Sequence, residues 1–447
     1  MKSSLKFLSS VLCYVVLLSC NQSKDFDDST KKSEKIDDKR KIQEVNREEI
    51  PVRSQTLAIV GATLIDGTGA EALDNSCIIV INNIINWVGK RADAKIPDGA
   101  EVFDATGMTL LPGLIDAHFH YDYVKYFPTK FVRNGITSVR DPGQWIETYD
   151  FERNTGDPLP RLFLTGPHLE TFPSAYPNDA YIVRDKKEVR TAVKILADQG
   201  VSAIKVYYRL PLGLIEETCI QAHKYGLPVT AHLEITDARL AILAGLDGVE
   251  HITSLGTALV SMKKAEKFRH ILMGDVDSKK HGKARYNLWN EIDVNGKRAD
   301  SLVRFLKEKK TYITPTLAAM EYRFDGKNSD STRLSGFQNM MSFVGKCDQG
   351  GVNIVLGSHG PWVPYAEKGW SYQHEMDLLT QAGMDEMDVI VAATSKNAEF
   401  LKISDRLGSL EKGKEADLIL IGSNPLKDIK AMYDIRKVML NGSWIPN

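Results

Sequence analysis

The sequence predicts an α/β fold: a (β/α)8 TIM barrel with a small β-sandwich domain built from the N- and C-terminal segments. Three observations carry this. Short β-rich runs occupy both ends of the globular part, as in "TLAIVGATLID", "SCIIVINNIINWVG" and "AEVFDATGMTLL", then "EADLILIGS" and "IRKVMLNGSWI". Between them, apolar strand-like runs alternate with stretches of helical periodicity over about 290 residues, the span of an eightfold β/α barrel. No glycine-rich phosphate loop follows the first strand, which disfavours the doubly wound sheet that the same alternation allows.

The chain starts with a segment that is not fold. "MKSSLKFLSSVLCYVVLLSC" carries Lys2 and Lys6, then an apolar run, then Leu17-Leu18-Ser19 before Cys20. Residues 1–19 read as a secretory signal peptide, too short to serve as a transmembrane anchor. The segment resembles a bacterial lipoprotein signal, which implies lipidation of Cys20, anchoring to a membrane and an exported, outer-membrane-associated location. Residues 20–55 are nearly all polar and read as a solvated tether. Of five cysteines, Cys77, Cys219 and Cys347 remain in the globular part. Three scattered cysteines make no disulfide framework and no cysteine metal site. A formal net charge of −1, with 43% hydrophobic and 26% charged residues, describes an ordinary globular chain with no pull towards nucleic acid.

The β-rich segments 56–111 and 400–447 are expected to form one composite domain around a barrel spanning 112–399. Within the barrel, "KKEVRTAVKILADQG" has Val189, Val193 and Leu196 on one helical face and stops at Gly200, and "GLIEETCIQAHKYG" repeats the form up to Gly226. The charged insert "KKAEKFRHILMGDVDSKKHGKARYNLWNEIDVNGKR" reads as a solvated excursion over the rim.

Barrels do their chemistry at the C-terminal ends of their strands. The first strand ends "LIDAHFH", and residues two apart in a strand share a face, so His118 and His120 project together. The fifth strand ends at His232, the sixth at His251 and the eighth at Ser358-His359. Five of ten histidines on one rim suit zinc or another first-row divalent metal. Lys205 lies inside the apolar strand "VSAIKVYY", where an ammonium is costly to bury. A neutral amine there can take up carbon dioxide and become an anionic carbamate able to bridge two cations; pairing with Asp141 or Glu250 is the alternative.

"LLPGLIDAHFH", "AIKVYY", "GLPVTAH", "GVEH" and "GSLEKGKEADLILIG" together resemble the metal-dependent amidohydrolases, in the imidazolonepropionase-like and Xaa-Pro dipeptidase-like branch, over residues 56–447. The resemblance implies a hydrolase that cleaves a C–N bond in a cyclic amide, N-acyl amino acid or dipeptide-like small molecule, using a metal-bound hydroxide. It implies two divalent ions, zinc by preference. His118 and His120 would bind the more buried ion and His232 and His251 the more exposed one, with carbamylated Lys205 between them. The family's eighth strand usually ends in an aspartate that handles protons at the metals. Here His359 occupies that place and is the candidate catalytic residue, as proton carrier or ligand. Tyr207, His168 and His374 are candidates to contact substrate, with packing or a helix surface as the alternative for each. Two further readings stand beside the hydrolase: a tethered binding lipoprotein whose site has decayed, and a single-metal, deaminase-like enzyme with an unmodified lysine. The reading leaves room for a homo-oligomer.

Overall fold

The structure is a computed structural model that describes residues 41–121, 128–274, 278–321 and 330–446. The signal peptide, Cys20 and most of the expected tether lie outside the described residues.

Ten short strands of the central region lie in two parallel sheets. One holds Leu114–Asp116, Ile136–Asp141 and Arg161–Leu164 in chain order. The other runs Ala180–Ile182, His168–Glu170, Ile204–Val206, Val229–His232, Gly248–Glu250, Tyr312–Thr314, Asn353–Ile354, every pair parallel. Helices cross between successive strands, as parallel pairing requires. Backbone hydrogen bonds stand where the two sheets meet: Ala117 N–H donates to the Leu356 carbonyl at 2.9 Å, and Ser202 N–H to that of Leu164 at 2.8 Å. This is a TIM-barrel-type arrangement, with no continuous closed ladder among the described residues.

The crossover helices form where their patterns place them. Lys186–Asp198 starts at Asp185, whose carboxylate accepts the Glu188 N–H at 2.8 Å. It buries Val189, Val193 and Leu196 and ends before Gly200, at φ 86°. A left-handed residue just past the last turn favours glycine.

The two β-rich segments meet. Leu418–Ile421 pairs antiparallel with Thr109–Pro112, so strands more than 300 residues apart in sequence share a five-stranded sheet. A four-stranded sheet of residues 56–104 lies beside it. Leu57, Ile59 and Val80 of the second sheet pack in one apolar cluster with Leu110, Leu418 and Met439 of the first.

Two expectations change. Most of the 262–300 insert is helical, as Met262–Gly274, Ser278–Asn290 and the start of Lys297–Glu308. Its charges lie on one face; Ala265, Phe268 and Leu272, spaced three and four apart, are buried on the other, and Trp289 is fully buried. The insert is therefore packed structure and not a solvated excursion.

The end of the expected tether is also docked: Ile42, Glu44, Asn46 and Ile50 are buried. Asn46 pairs with the edge of the Arg161–Leu164 strand, accepting the Leu162 N–H at 2.9 Å. Buried Arg161 reaches Glu44 at 2.5 Å, Asp417 at 2.7 Å and Glu415 at 2.9 Å, while Arg406 pairs with Glu44 and Glu415 at 2.9 and 3.0 Å. Polar composition hid this because the acids are matched by arginines from distant segments, which removes the penalty for burying them.

Burial pushes the Glu44 carboxyl up, but Arg161 and Arg406 outweigh it and hold it at about 2, against an ordinary 4.5. A depressed carboxyl contributes stability above the unfolded value and loses it as pH falls towards the folded one. Denaturant unfolding should therefore show stability dropping from about pH 4.5 to about pH 2. Glu44→Gln should be destabilised at pH 7 by about 3 kcal/mol, through the charge-assisted contacts that Arg161 and Arg406 lose, and should lose less over the acid window.

Candidate metal centre

The rim histidines converge because the last strand's loop is pressed onto the first strand's end. A Cβ on Gly357 would lie 2.5 Å from the His118 Cβ, and one on Gly360 would lie 2.8 Å from the His120 carbonyl oxygen. The His359 N–H donates to the His118 carbonyl at 2.7 Å. The His359 ring stacks on that of His118, with centroids 5.3 Å apart and planes 13° from parallel. His251 lies 4.6 Å from His118 and 4.4 Å from His232, and His120 lies 4.8 Å from His359, centroid to centroid. His251 and His359 both hold left-handed backbone, φ 60° and 67°. Such strain in non-glycine residues persists only where the surroundings enforce it.

Buried Glu250 organises the floor. It accepts from His118 Nδ1 at 2.7 Å and from the Arg140 guanidinium, and the Lys205 Nζ stands 3.7 Å away. Arg140 also donates to the Ala117 carbonyl at 2.7 Å and the Thr230 hydroxyl at 3.2 Å. Burial would raise the Glu250 carboxyl, yet Arg140, Lys205 and His118 keep it well below its ordinary value. A charged carboxylate must accept, so His118 Nδ1 donates and its Nε2 carries the lone pair. That nitrogen lies 3.0 Å from His120 Nε2, so the two nitrogens face each other as candidate ligands. His120 is backed by Asp141, whose oxygen is 3.5 Å from Nδ1, and His251 Nδ1 is bonded to the Thr316 hydroxyl at 2.6 Å. Thr316, at φ 49°, is anchored through the next two N–H groups, of Leu317 and Ala318, which donate to Glu375 at 2.8 and 2.7 Å.

Several buried nitrogens make no hydrogen bond, Nδ1 of His232, Nδ1 of His359 and Nζ of Lys205, while His232 Nε2 stands 3.3 Å from a Glu234 oxygen. Burial drives the imidazoles of His118, His251 and His359 well below their usual protonation range and lowers that of His232. Burial likewise brings the Lys205 amine down to about 7. The imidazoles are neutral, unprotonated donors, and the Lys205 amine is partly neutral near pH 7. His118, His251 and His359 each offer a nitrogen within 4.8 Å of the others, a set that fits a divalent cation. Lys205 faces Glu250, the pairing weighed against carbamylation.

The predicted contacts to substrate divide. Tyr207 lies against His232, centroids 4.7 Å apart, and His168 against Tyr207 at 4.6 Å. Both therefore stand beside the histidine group. His374 pairs instead with Glu321 at 2.9 Å and with the Tyr365 ring at 5.0 Å, on a separate cavity of about 590 Å³. His223 bonds to Asp247 at 2.8 Å, a structural role. A cavity of about 90 Å³ beside His232 is lined by Tyr176, Tyr207, Tyr208, Arg209, His281 and Arg285. Arg285 of the insert reaches Glu234, two residues past His232, at 2.9 Å.

Arg140, Arg285 and Thr316 escaped notice in the sequence, and Glu250 and Glu234 were not given site roles. The only local signal was a charge inside an apolar strand or next to a rim histidine.

The Amidohydrolase family model matches residues 109–445. Among curated proteins, the chain is 22% identical over 391 residues to 5'-deoxyadenosine deaminase of Methanothermobacter thermautotrophicus, covering 83% of this chain and 85% of that one. It is 33% identical over 91 residues to adenine deaminase of Listeria monocytogenes, 19% of this chain and 15% of that one. The match thus spans less than a fifth of that relative. Among solved structures, a Xaa-Pro dipeptidase with bound methionine superposes at TM-score 0.65 and 21% identity, over 87% of this chain and 99% of that one. Molinate hydrolase superposes at 0.66 and 19%, over 88% and 95%. At these identities the structures speak to fold. With three quarters of its length matched by the family model, the chain belongs to the amidohydrolase family.

Proposed function

We propose that this protein is a metal-dependent hydrolase of a carbon–nitrogen bond in a small amide. The observation that carries the reading is the set of neutral, buried imidazole nitrogens converging at the C-terminal ends of parallel strands, several without a partner. The barrel reading draws on the backbone bonds at the two seams, and the sandwich reading on the apolar cluster shared by the outer sheets.

His118, His120, His232, His251 and His359 are the residues that would hold metal. A divalent ion there supplies Lewis acidity towards a carbonyl and makes water acidic enough to attack near neutral pH. The chain's own groups prepare this. Glu250 fixes the His118 tautomer, Thr316 holds the His251 ring through Nδ1, and Asp141 backs His120. Lys205, as a neutral amine, adds carbon dioxide at Nζ, forming an N–C bond and releasing one proton to solvent, to give an anionic carbamate. Tyr207 stands where its hydroxyl can meet a substrate oxygen.

The single-ion, deaminase-like reading has its own support: three nitrogens within 4.8 Å make a one-ion set, and Lys205 stands 3.7 Å from Glu250. Metal analysis of Lys205→Met separates the two. The two-ion reading expects about two ions per wild-type chain, with loss of metal and at least ~10²-fold loss of amide hydrolysis in the variant. One ion per wild-type chain, with metal content and activity unchanged in the variant, would establish the single-ion form. Wild-type protein that holds no metal and turns over no amide would leave a tethered binding protein.

His359→Asn is expected to lower metal affinity by about 10- to 100-fold and to lose turnover with it. Lost turnover with metal fully retained would make His359 a proton carrier instead. We also propose lipidation at Cys20 and association with the outer membrane; Cys20→Ser should move the protein from the membrane to the soluble fraction.

A further inference from the structure

The chain just past His232 is gripped from the insert that follows the sixth strand. Glu234 is fully buried, so its carboxylate needs partners of its own. Arg285, on the helix Ser278–Asn290, forks it, with Nε donating to one oxygen and Nη2 to the other at 2.9 Å. Arg269, on the helix Met262–Gly274, donates from Nε to the Ile235 carbonyl at 2.5 Å. Two helices of the insert thus send one arginine each to consecutive residues beyond the fifth strand's end. The Leu233 N–H is met as well, by the Ser254 hydroxyl at 2.9 Å.

The arm that carries Arg285 is itself fixed. The helix Ser331–Gln349 lies so close that a Cβ on its Gly336 would stand 2.6 Å from the Tyr286 carbonyl oxygen, and its Asn339 donates to the Trp289 carbonyl at 2.9 Å. The guanidinium is therefore delivered from a packed element and not from a loop.

This grip bears on His232. Its Nε2 stands 3.3 Å from the same Glu234 oxygen that the Arg285 Nε reaches. A carboxylate forked by a guanidinium is an acceptor only. Close to a ring nitrogen it attracts an N–H and repels a lone pair, so a neutral His232 keeps its proton on Nε2 and its lone pair on Nδ1. That Nδ1 is buried and makes no hydrogen bond. The nitrogen a histidine offers to a metal is set by what its other nitrogen meets.

We infer that Glu234 and Arg285 are positioning residues for His232: together they fix which nitrogen it offers to a metal, and the insert is the arm that holds them there. The inference rests on the hydrolase reading for His232 as a ligand and on the geometry here for the clamp.

The test has two arms, both on the full-length protein. In metal-free protein with isotopically labelled histidine, nitrogen NMR reads the tautomer of each neutral ring, and His232→Gln identifies the signal by its loss. Wild-type His232 should carry its proton on Nε2. Glu234→Gln, whose amide both donates and accepts, should move it towards a mixture of tautomers. In the second arm, competition with a chromophoric chelator measures zinc affinity. Glu234→Gln and Arg285→Gln should each hold one zinc ion about 10- to 100-fold more weakly than the wild type. Lys283→Gln removes an exposed charge from the same helix and should bind zinc as the wild type does. Near-ultraviolet circular dichroism verifies that each variant is folded. A proton on Nδ1 of wild-type His232, unchanged zinc affinity in folded Glu234→Gln and Arg285→Gln, or an equal loss in Lys283→Gln would overturn the inference. Wild-type protein that binds no zinc, with the Nε2 proton displaced in Glu234→Gln, would sink the hydrolase reading and leave the clamp standing. Zinc binding and amide hydrolysis with the tautomer unmoved in Glu234→Gln would do the reverse.

Discussion

One buried carboxylate makes the interior of this barrel workable. Glu250 stands among Arg140, Lys205 and His118, three groups that would otherwise bring positive charge or unsatisfied donors into a dry core. Removing one partner of such a set strands the others, a loss of about 3 to 5 kcal/mol. Because Glu250 is fully ionised it can only accept, so it dictates which His118 nitrogen faces the cluster. Arg140, held by the same carboxylate, reaches the carbonyl just before His118 and the hydroxyl of Thr230. Electrostatics and strand register thus support the same geometry.

Around that floor the backbone is held in conformations it would not choose. His251, Thr316 and His359 all carry positive φ. Each is over-determined. Thr316 is anchored through Glu375, whose carboxyl is raised by burial to about 8 despite two backbone N–H donors. His359 is tied to the His118 carbonyl, and Gly357 and Gly360 let the loop approach the first strand closely. The strain has a purpose consistent with ligand placement: it turns imidazoles from three separate strand ends into one small volume. Further out, the Arg161 cluster does a comparable job between segments, joining the 42–50 stretch, a barrel strand and the C-terminal sheet.

The cavity beside His232 follows from the same layout. The insert after the sixth strand returns over the rim and supplies Arg285 and His281, while the strand that carries Lys205 runs on into Tyr207, Tyr208 and Arg209. Tyr207 and Tyr208 line the cavity and also contact the His232 ring, so the cavity adjoins the histidine cluster.

Much of this was legible in the sequence, and what was legible was local. Strand runs, the caps of the Lys186–Asp198 helix and the rim histidines depend on spacing of two or 3.6 residues and on the chemistry of neighbours, so they can be read along the chain. His118, His120, His232, His251, His359 and Lys205 were found that way. Other features arise only where distant segments meet. Glu250 meets His118 across 132 residues, Arg285 meets Glu234 across 51, and Arg161 meets Asp417 across 256. A charged residue looks the same in sequence whether it faces solvent or a buried partner. The sequence by itself determined which histidines and which lysine lie at strand ends, and so which residues are candidates for the chemistry. Only the tertiary structure decided which charges neutralise one another and which imidazole nitrogens stay open, because those outcomes depend on which segments pack together and exclude water.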